Sequence, residues 1–375
     1  MTDDDAVDRA LDLLARARFP RDVLAAISIA FGDDAEAHVL DHDLSQLRSL
    51  EREHRTALDG ELHDAFSDRE PMTDRSGWWV PVCEGGRLVV VMRYGVRPDE
   101  RRRRLVERTA RRIGPAVAGA QDRFEDFGQR RRRSEMSVAA EMQWSLLPPR
   151  SGSAGGFDFA SAIAPAYDVA GDLYDYSWFD GALWIYSLDA MGHGMDAALT
   201  GVAALSAIRN GRRAGRTLSQ QIAMANDTVL DHWTGQRFVT AAACRLTRTS
   251  IDVVNAGHEP LRRRSAGGVE DLDLAASLPI GVSRRATFET HRIDPLDAGE
   301  GLVLLTDGSA ESRDVAGVPF GALAVSEAIA AAWTDTPLLT ARRFLERILR
   351  HSGRADPGDD ITTVVVRAVD HDGEP

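Results

Sequence analysis

With 375 residues the chain has room for two domains, each with a core of its own. A formal net charge of −13 argues against non-specific nucleic-acid binding, which needs a basic surface to neutralise phosphates. No apolar run approaches the roughly 20 residues that span a bilayer, and "MTDDDAVDRALDLL" opens with acids where a secretory signal would be basic. A cytoplasmic protein with no membrane segment is expected. Its two cysteines, Cys83 and Cys244, each fall inside an apolar strand-like run, so reduced buried thiols are expected rather than a disulfide or zinc site. Every basic residue is arginine, a bias read as codon usage and given no functional weight.

From the N-terminus, "AVDRALDLLARARF" and "RDVLAAISIAFG" read as helices. "WWVPVCEGGRLVVVMRYG" reads as a hairpin turning at Glu84-Gly85-Gly86. Together they form a small mixed α/β domain over residues 1–114. A second helical stretch, "RPDERRRRLVERTARRIG", is expected to break at Gly114-Pro115. Residues 115–150 then read as a helical linker ending at Pro148-Pro149. Within it Val117, Ala120, Phe124 and Phe127 keep a three-four spacing that would form a seam with a second copy, giving a homodimer. The Arg130–Arg133 run reads as a solvated helix face.

After Gly156 the pattern changes. Short β-rich runs such as "FDFASAIAP", "RFVTAAACRLT", "GLVLLTDG" and "ITTVVVRA" alternate with Ala-rich helical stretches. Sheets covered by helices are expected, an α+β class over residues 151–370.

The acids of this region carry the chemistry. In "AGDLYDYSWFDGALWIYSLDA" the Asp180-Gly181 pair signals a two-residue type I′ turn. Such a turn sets Phe179 opposite Ala182 and therefore Asp172 opposite Asp189. Two carboxylates would then face each other about 4.5–5.5 Å apart at Cβ, a destabilising pair unless something positive sits beside them. A register slip or longer loop would separate them. Asp307 follows an apolar strand, and Asp359 and Asp360 precede another. Each alone reads as an ordinary turn residue. Jointly, strand-end acids that converge on one sheet edge would suit a hard cation, Mg²⁺ or Mn²⁺.

Five stretches in order, "AYDVAGDLYDYSWFDGALWIYSLDAMGHGMDAAL", "RFVTAAACRLTRTSIDVVNAGHEP", "SLPIGV", "LVLLTDGSAESR" and "GDDITTVVVRA", closely resemble the SpoIIE/RsbU-like branch of the metal-dependent serine/threonine phosphatases, the protein phosphatase 2C type. "AAEMQWSLLPP" resembles the segment leading into that branch's catalytic domain, so the resemblance covers about residues 137 to 368. It implies a β-sandwich flanked by helices in α-β-β-α layers, with two Mn²⁺ or Mg²⁺ ions at one edge of the sheets. Asp189 matches the metal-bridging aspartate and Ala190 the metal-binding backbone carbonyl. Asp172 matches the acid on the first-metal side, while Asp307 and Asp359 match the remaining ligands, with Asp360 second to Asp359. Hydrolysis would proceed by in-line attack of an activated water without a covalent enzyme intermediate.

The leaving group needs a proton, for which His193 and His258 are candidates. Met191 holds the place where the wider family carries a histidine, so neither inherits the role. Turn chemistry alone favours His193 as a residue at a helix start and His258 as a turn after a strand. "AGD" has Ala170 where the branch more often has glycine. The resemblance further implies a phosphorylated anti-sigma-factor antagonist of the STAS type as substrate. Helix and hairpin order gives the N-terminal domain a GAF-like or PAS-like sensor reading. Two other classes stay open: a non-catalytic scaffold for phosphoproteins or sigma-factor regulators, and another two-metal enzyme such as a nucleotide cyclase.

Overall fold

The structure is a computed structural model that describes residues 3–41, 46–51, 55–57, 71–85, 87–124, 127, 131, 135–164, 171–353 and 359–370. The chain divides into two compact units, Met1–Glu135 and Met136–Pro375, in a mixed α/β fold. Among the described residues no helix is long and apolar enough to cross a membrane.

In the first unit α1 (Asp3–Arg16) and α2 (Pro20–Phe31) precede β1 (Ala35–Leu40), β2 (Gln46–Ser49), β3 (Arg55–Ala57), β4 (Met72–Asp74), β5 (Gly77–Glu84) and β6 (Arg87–Tyr94). The six strands form one antiparallel sheet in the order β3-β2-β1-β6-β5-β4. The expected hairpin is β5 with β6, turning at Gly85, whose φ is 51°; Gly86 lies outside the described residues.

The expected break at Gly114-Pro115 does not occur. One helix, α3 (Glu100–Gln121), runs through it, started by Asp99, whose carboxylate accepts from the Arg102 amide at 2.8 Å. An interior proline costs about 3 kcal/mol. Burying Val106, Ile113 and Val117 at about 1.5–3 kcal/mol each outweighs it. Gly114 makes the close packing possible, because a Cβ there would sit 2.3 Å from the Cys83 carbonyl oxygen. The seam residues are used in this same core. Val117, Ala120 and Phe127 are buried and Phe124 packs against them, so they are not free to pair with a second copy.

The second unit opens with α4 (Val138–Leu146), β7 (Ser151–Ala154), β8 (Phe157–Ala164), β9 (Asp172–Phe179) and β10 (Ala182–Ala190). Helices α5 (Gly194–Arg213) and α6 (Leu218–Trp233) follow, then β11 (Val239–Leu246), β12 (Ile251–Ala256), β13 (Arg262–Ser265), β14 (Gly268–Asp271), β15 (His291–Ile293) and β16 (Gly301–Leu305). The chain ends with α7 (Gly308–Glu311), α8 (Ala322–Ala332), α9 (Pro337–Ser352) and β17 (Ile361–Ala368). Two antiparallel sheets result, β15-β12-β11-β10-β9 and β14-β13-β16-β17-β8-β7.

Period-two alternation on β10 sorts its side chains. Leu183 and Ile185 share a core with Phe159 of β8, Leu304 of β16 and Val364 of β17, so this face meets the other sheet. Trp184, Tyr186, Leu188 and Ala190 pack instead with Leu205 and Ile208 of α5 and Ile222 and Val229 of α6. Helix α9 packs on β8 and β17 of the second sheet. Asp189 continues the row of Leu183 and Ile185, which aims it along the face between the sheets.

Candidate active site

The β9–β10 turn is the one the Asp180-Gly181 pair predicts. Both residues have positive φ, 51° and 67°, which a type I′ turn requires. Counting back from it, Phe179 pairs with Ala182 and Asp172 pairs with Asp189. A one-residue slip would have turned the aspartates to opposite faces. Asp172 is 1% exposed, and Asp189 is partly buried.

The second sheet brings three more acids to the same place. Asp307 stands between β16 and α7, and Asp359 and Asp360 immediately precede β17. Thr306 ties the sheets together: its hydroxyl donates to Asp172 Oδ2 at 2.7 Å and accepts from the Thr362 amide at 2.8 Å. Asp360 Oδ2 accepts from the Gly171 amide at 3.0 Å, and Asp359 Oδ1 accepts from the Asp360 amide at 2.8 Å. Small residues permit this approach. A Cβ on Gly308 would lie 2.1 Å from the Asp360 carbonyl oxygen, and one on Gly171 would lie 3.0 Å from the carbonyl oxygen of Ala190. Ala190, fully buried, thus presents its carbonyl beside Gly171 and Asp360.

The electrostatics show how closely these groups sit. Burial, followed by the charges of Asp189 and Asp360, raises the Asp172 carboxyl well above its usual range, only partly offset by the Thr306 and Thr362 hydroxyls. Burial and then the charges of Asp307, Asp359 and Asp360 push Asp189 up to about 7. Asp307 is raised by burial, Asp359 and Glu311. Glu259 is raised too, first by burial, despite the lowering effect of Arg262. These carboxylates feel one another's charge without closing on a common point, since among the described residues no three Asp, Glu, His or Cys side chains already enclose a cation position. Their donors are all oxygen. A hard divalent cation suits that set and would relieve the repulsion.

The five predicted aspartates thus lie within reach of one another's charge, whereas the two histidines do not join them as equals. His193 is an exposed residue before the first turn of α5 whose side chain makes no cap hydrogen bond. His258 is buried: Nδ1 is 2.8 Å from Thr240 Oγ1 and Nε2 is 3.1 Å from Ser187 Oγ. Burial lowers its pKa to about 4, which keeps the ring neutral. Ala170 lies outside the described residues.

Sequence reasoning did not single out Thr306, Glu259, Glu311 or Gln143. Gln143 of α4 donates from Nε2 to the Asp172 carbonyl oxygen, linking the first helix of this unit to the first strand residue of the site. Glu311 sits one helical turn after Asp307, a spacing readable in "DGSAE". For Thr306 and Gln143 no local pattern points to their distant partners.

The family model described as stage II sporulation protein E (SpoIIE) matches residues 180–369. Phosphoserine phosphatase RsbU of Bacillus subtilis (strain 168) is 27% identical over 187 residues, 48% of this chain and 55% of the relative. Phosphoserine phosphatase RsbP of the same organism is 29% identical over 153 residues, 38% of this chain and 36% of the relative. The chain thus spans about half or less of the curated relatives it matches. Among solved structures, the SiaA-PP2C domain of Pseudomonas aeruginosa superposes with a TM-score of 0.52 at 21% identity, covering 61% of this chain and 93% of that one. That likeness speaks to the fold.

Proposed function

The chain belongs to the SpoIIE family, and from that premise we propose that it is a metal-dependent protein serine/threonine phosphatase. The observation that carries the reading is the register that sets Asp172 against Asp189 on the face between the sheets, with Asp307, Asp359 and Asp360 arriving from the other sheet. The second unit is read as a four-layer α-β-β-α sandwich whose sheet edge is the active site.

The donor set fits two Mn²⁺ or Mg²⁺ ions. Asp189, the Ala190 carbonyl, Asp172, Asp307 and Asp359 would hold them, with Asp360 next to Asp359. When bound, such ions supply Lewis acidity toward phosphate oxygens and lower the pKa of a water. The protein's own part is positional. Thr306 holds the Asp172 carboxylate by donating to Oδ2, and the Gly171 amide holds Asp360. Burial of Asp172 keeps bulk water from its oxygens. Neither histidine is placed as proton donor: His193 faces solvent, and both ring nitrogens of His258 are engaged by hydroxyls. Proton delivery to the leaving serine or threonine oxygen is therefore assigned to solvent.

The substrate reading follows the resemblance and the two phosphoserine phosphatase relatives: a phosphorylated STAS-type antagonist of an anti-sigma factor, in a partner-switching pathway. The first unit is read as a GAF-like or PAS-like sensor that reports through α4, whose Gln143 touches Asp172. A homodimer would have to use a surface other than the buried Val117 to Phe127 seam.

The test is release of phosphate from a phosphoserine protein and from p-nitrophenyl phosphate, with Mn²⁺, Mg²⁺ or chelator. Metal-dependent turnover is expected. Binding without turnover under every metal would favour the scaffold reading instead. Removing residues 1–135 and measuring turnover tests the sensor role, which fails if rate and response to every partner are unchanged.

A further inference from the structure

We propose that His258 is a positioning residue, holding the strand ends that present Asp189. The inference rests on the phosphatase reading above, because it assigns Asp189 to a cation.

His258 follows β12, and Asn255 fixes its backbone from both sides. The His258 amide donates to Asn255 Oδ1 at 2.8 Å, and Asn255 Nδ2 donates to the His258 carbonyl at 3.0 Å. From that anchor the ring reaches across two neighbouring strands. Nδ1 meets Thr240 on β11, and Nε2 meets Ser187 on β10. Thr240 is the direct cross-strand partner of Asp189, and Ser187 lies two residues before Asp189 on the same face. One side chain therefore ties β10, β11 and β12 together at the point where the central aspartate emerges.

The chemistry of the ring fits a tie rather than a proton carrier. Neutral imidazole has one donor and one acceptor nitrogen, and a hydroxyl can answer either. Both are satisfied inside the protein. An apolar residue here would strand two hydroxyls, that of Ser187 being fully buried, and would remove the side-chain link that joins the β10, β11 and β12 ends on that face. Outer partners that orient metal ligands typically matter by about 10–100-fold in metal affinity.

The experiment is calorimetric titration of Mn²⁺ into the full chain and three variants, each checked for folding by near-ultraviolet circular dichroism. His258→Leu is expected to weaken Mn²⁺ binding by about tenfold or more, and His258→Asn, which keeps a hydrogen-bonding group near Thr240, recovers part of it. Tyr186→Phe is the control. It removes a buried bond of 2.6 Å to Gln221 on the opposite face of the same strand, and should leave Mn²⁺ affinity unchanged. Wild-type affinity in His258→Leu, or an equal loss in Tyr186→Phe, overturns the proposal. Should His258→Leu not fold, Thr240→Val decides in its place: weakened binding supports the role, and unaltered binding ends it. A wild-type chain that takes up no Mn²⁺ brings down the phosphatase reading and this role with it, a result distinct from a variant that binds normally.

Discussion

Asp172 and Asp175 stand three residues apart on one strand, both buried, in opposite electrostatic settings. Asp175 lies on the helix side, where Arg209 reaches Oδ1 at 2.7 Å and Arg212 reaches Oδ2 at 2.9 Å. Asp172 lies between the sheets and meets Asp189 and Asp360 instead, eased only by neutral hydroxyls, those of Thr306 and Thr362. The first is an acid whose countercharge is built into the fold. The second belongs to a cluster whose countercharge has to come from outside, and a buried charge that the protein itself does not balance marks a site of function.

The contrast can be broken most severely at Asp189. Asp189→Ala should cut metal-dependent phosphate release by at least about 10³-fold, or about 4 kcal/mol of barrier, while the chain stays folded. A rate within tenfold of wild type would contradict its assigned place. Asp175→Ala should do the reverse. Leaving two arginines partly buried without their carboxylate is expected to destabilise the unit by about 3–5 kcal/mol, read as a fall in Cm by denaturant titration at saturating Mn²⁺. An unchanged midpoint would show that Asp175 is not the structural member of the comparison.

A third test uses pH. The Asp189 carboxyl is raised in the fold to about 7 from 3.8, so its favourable contribution is present at low pH and is lost as pH rises through about 7. At pH 8 the metal-free chain carries the full repulsion. Asp189→Asn should therefore raise the metal-free melting temperature at pH 8, while added Mn²⁺ raises that of wild type but not of the variant. If the variant melts lower than wild type without metal, the acids do not repel as described. The smallest effect is expected at the hairpin. Gly181→Ala, at φ 67°, should cost about 1 kcal/mol of stability through the left-handed backbone while leaving Mn²⁺ binding intact.

What could be read beforehand follows from how local each constraint is. The Asp172–Asp189 pairing was legible because a two-residue turn fixes register by counting. Asp307, Asp359 and Asp360 could be flagged as strand-end acids, but their convergence depends on β16 and β17 being neighbours in a second sheet. Thr306 was invisible because its partner Asp172 is 134 residues away. Strands β1 to β4 are three to six residues long and carry little pattern of their own. The failed break at Gly114-Pro115 has the same origin: proline acts locally, whereas the burial that overrides it is tertiary.

The central claim is that the acids of two sheets gather to hold cations. Anomalous diffraction from crystals grown with Mn²⁺ tests it directly. A manganese peak coordinated by the Asp189 carboxylate is expected, with oxygens of Asp172, Asp307 and Asp359 around the same centre. Strong manganese peaks elsewhere, with the Asp189 carboxylate left uncoordinated at saturating Mn²⁺, would contradict it.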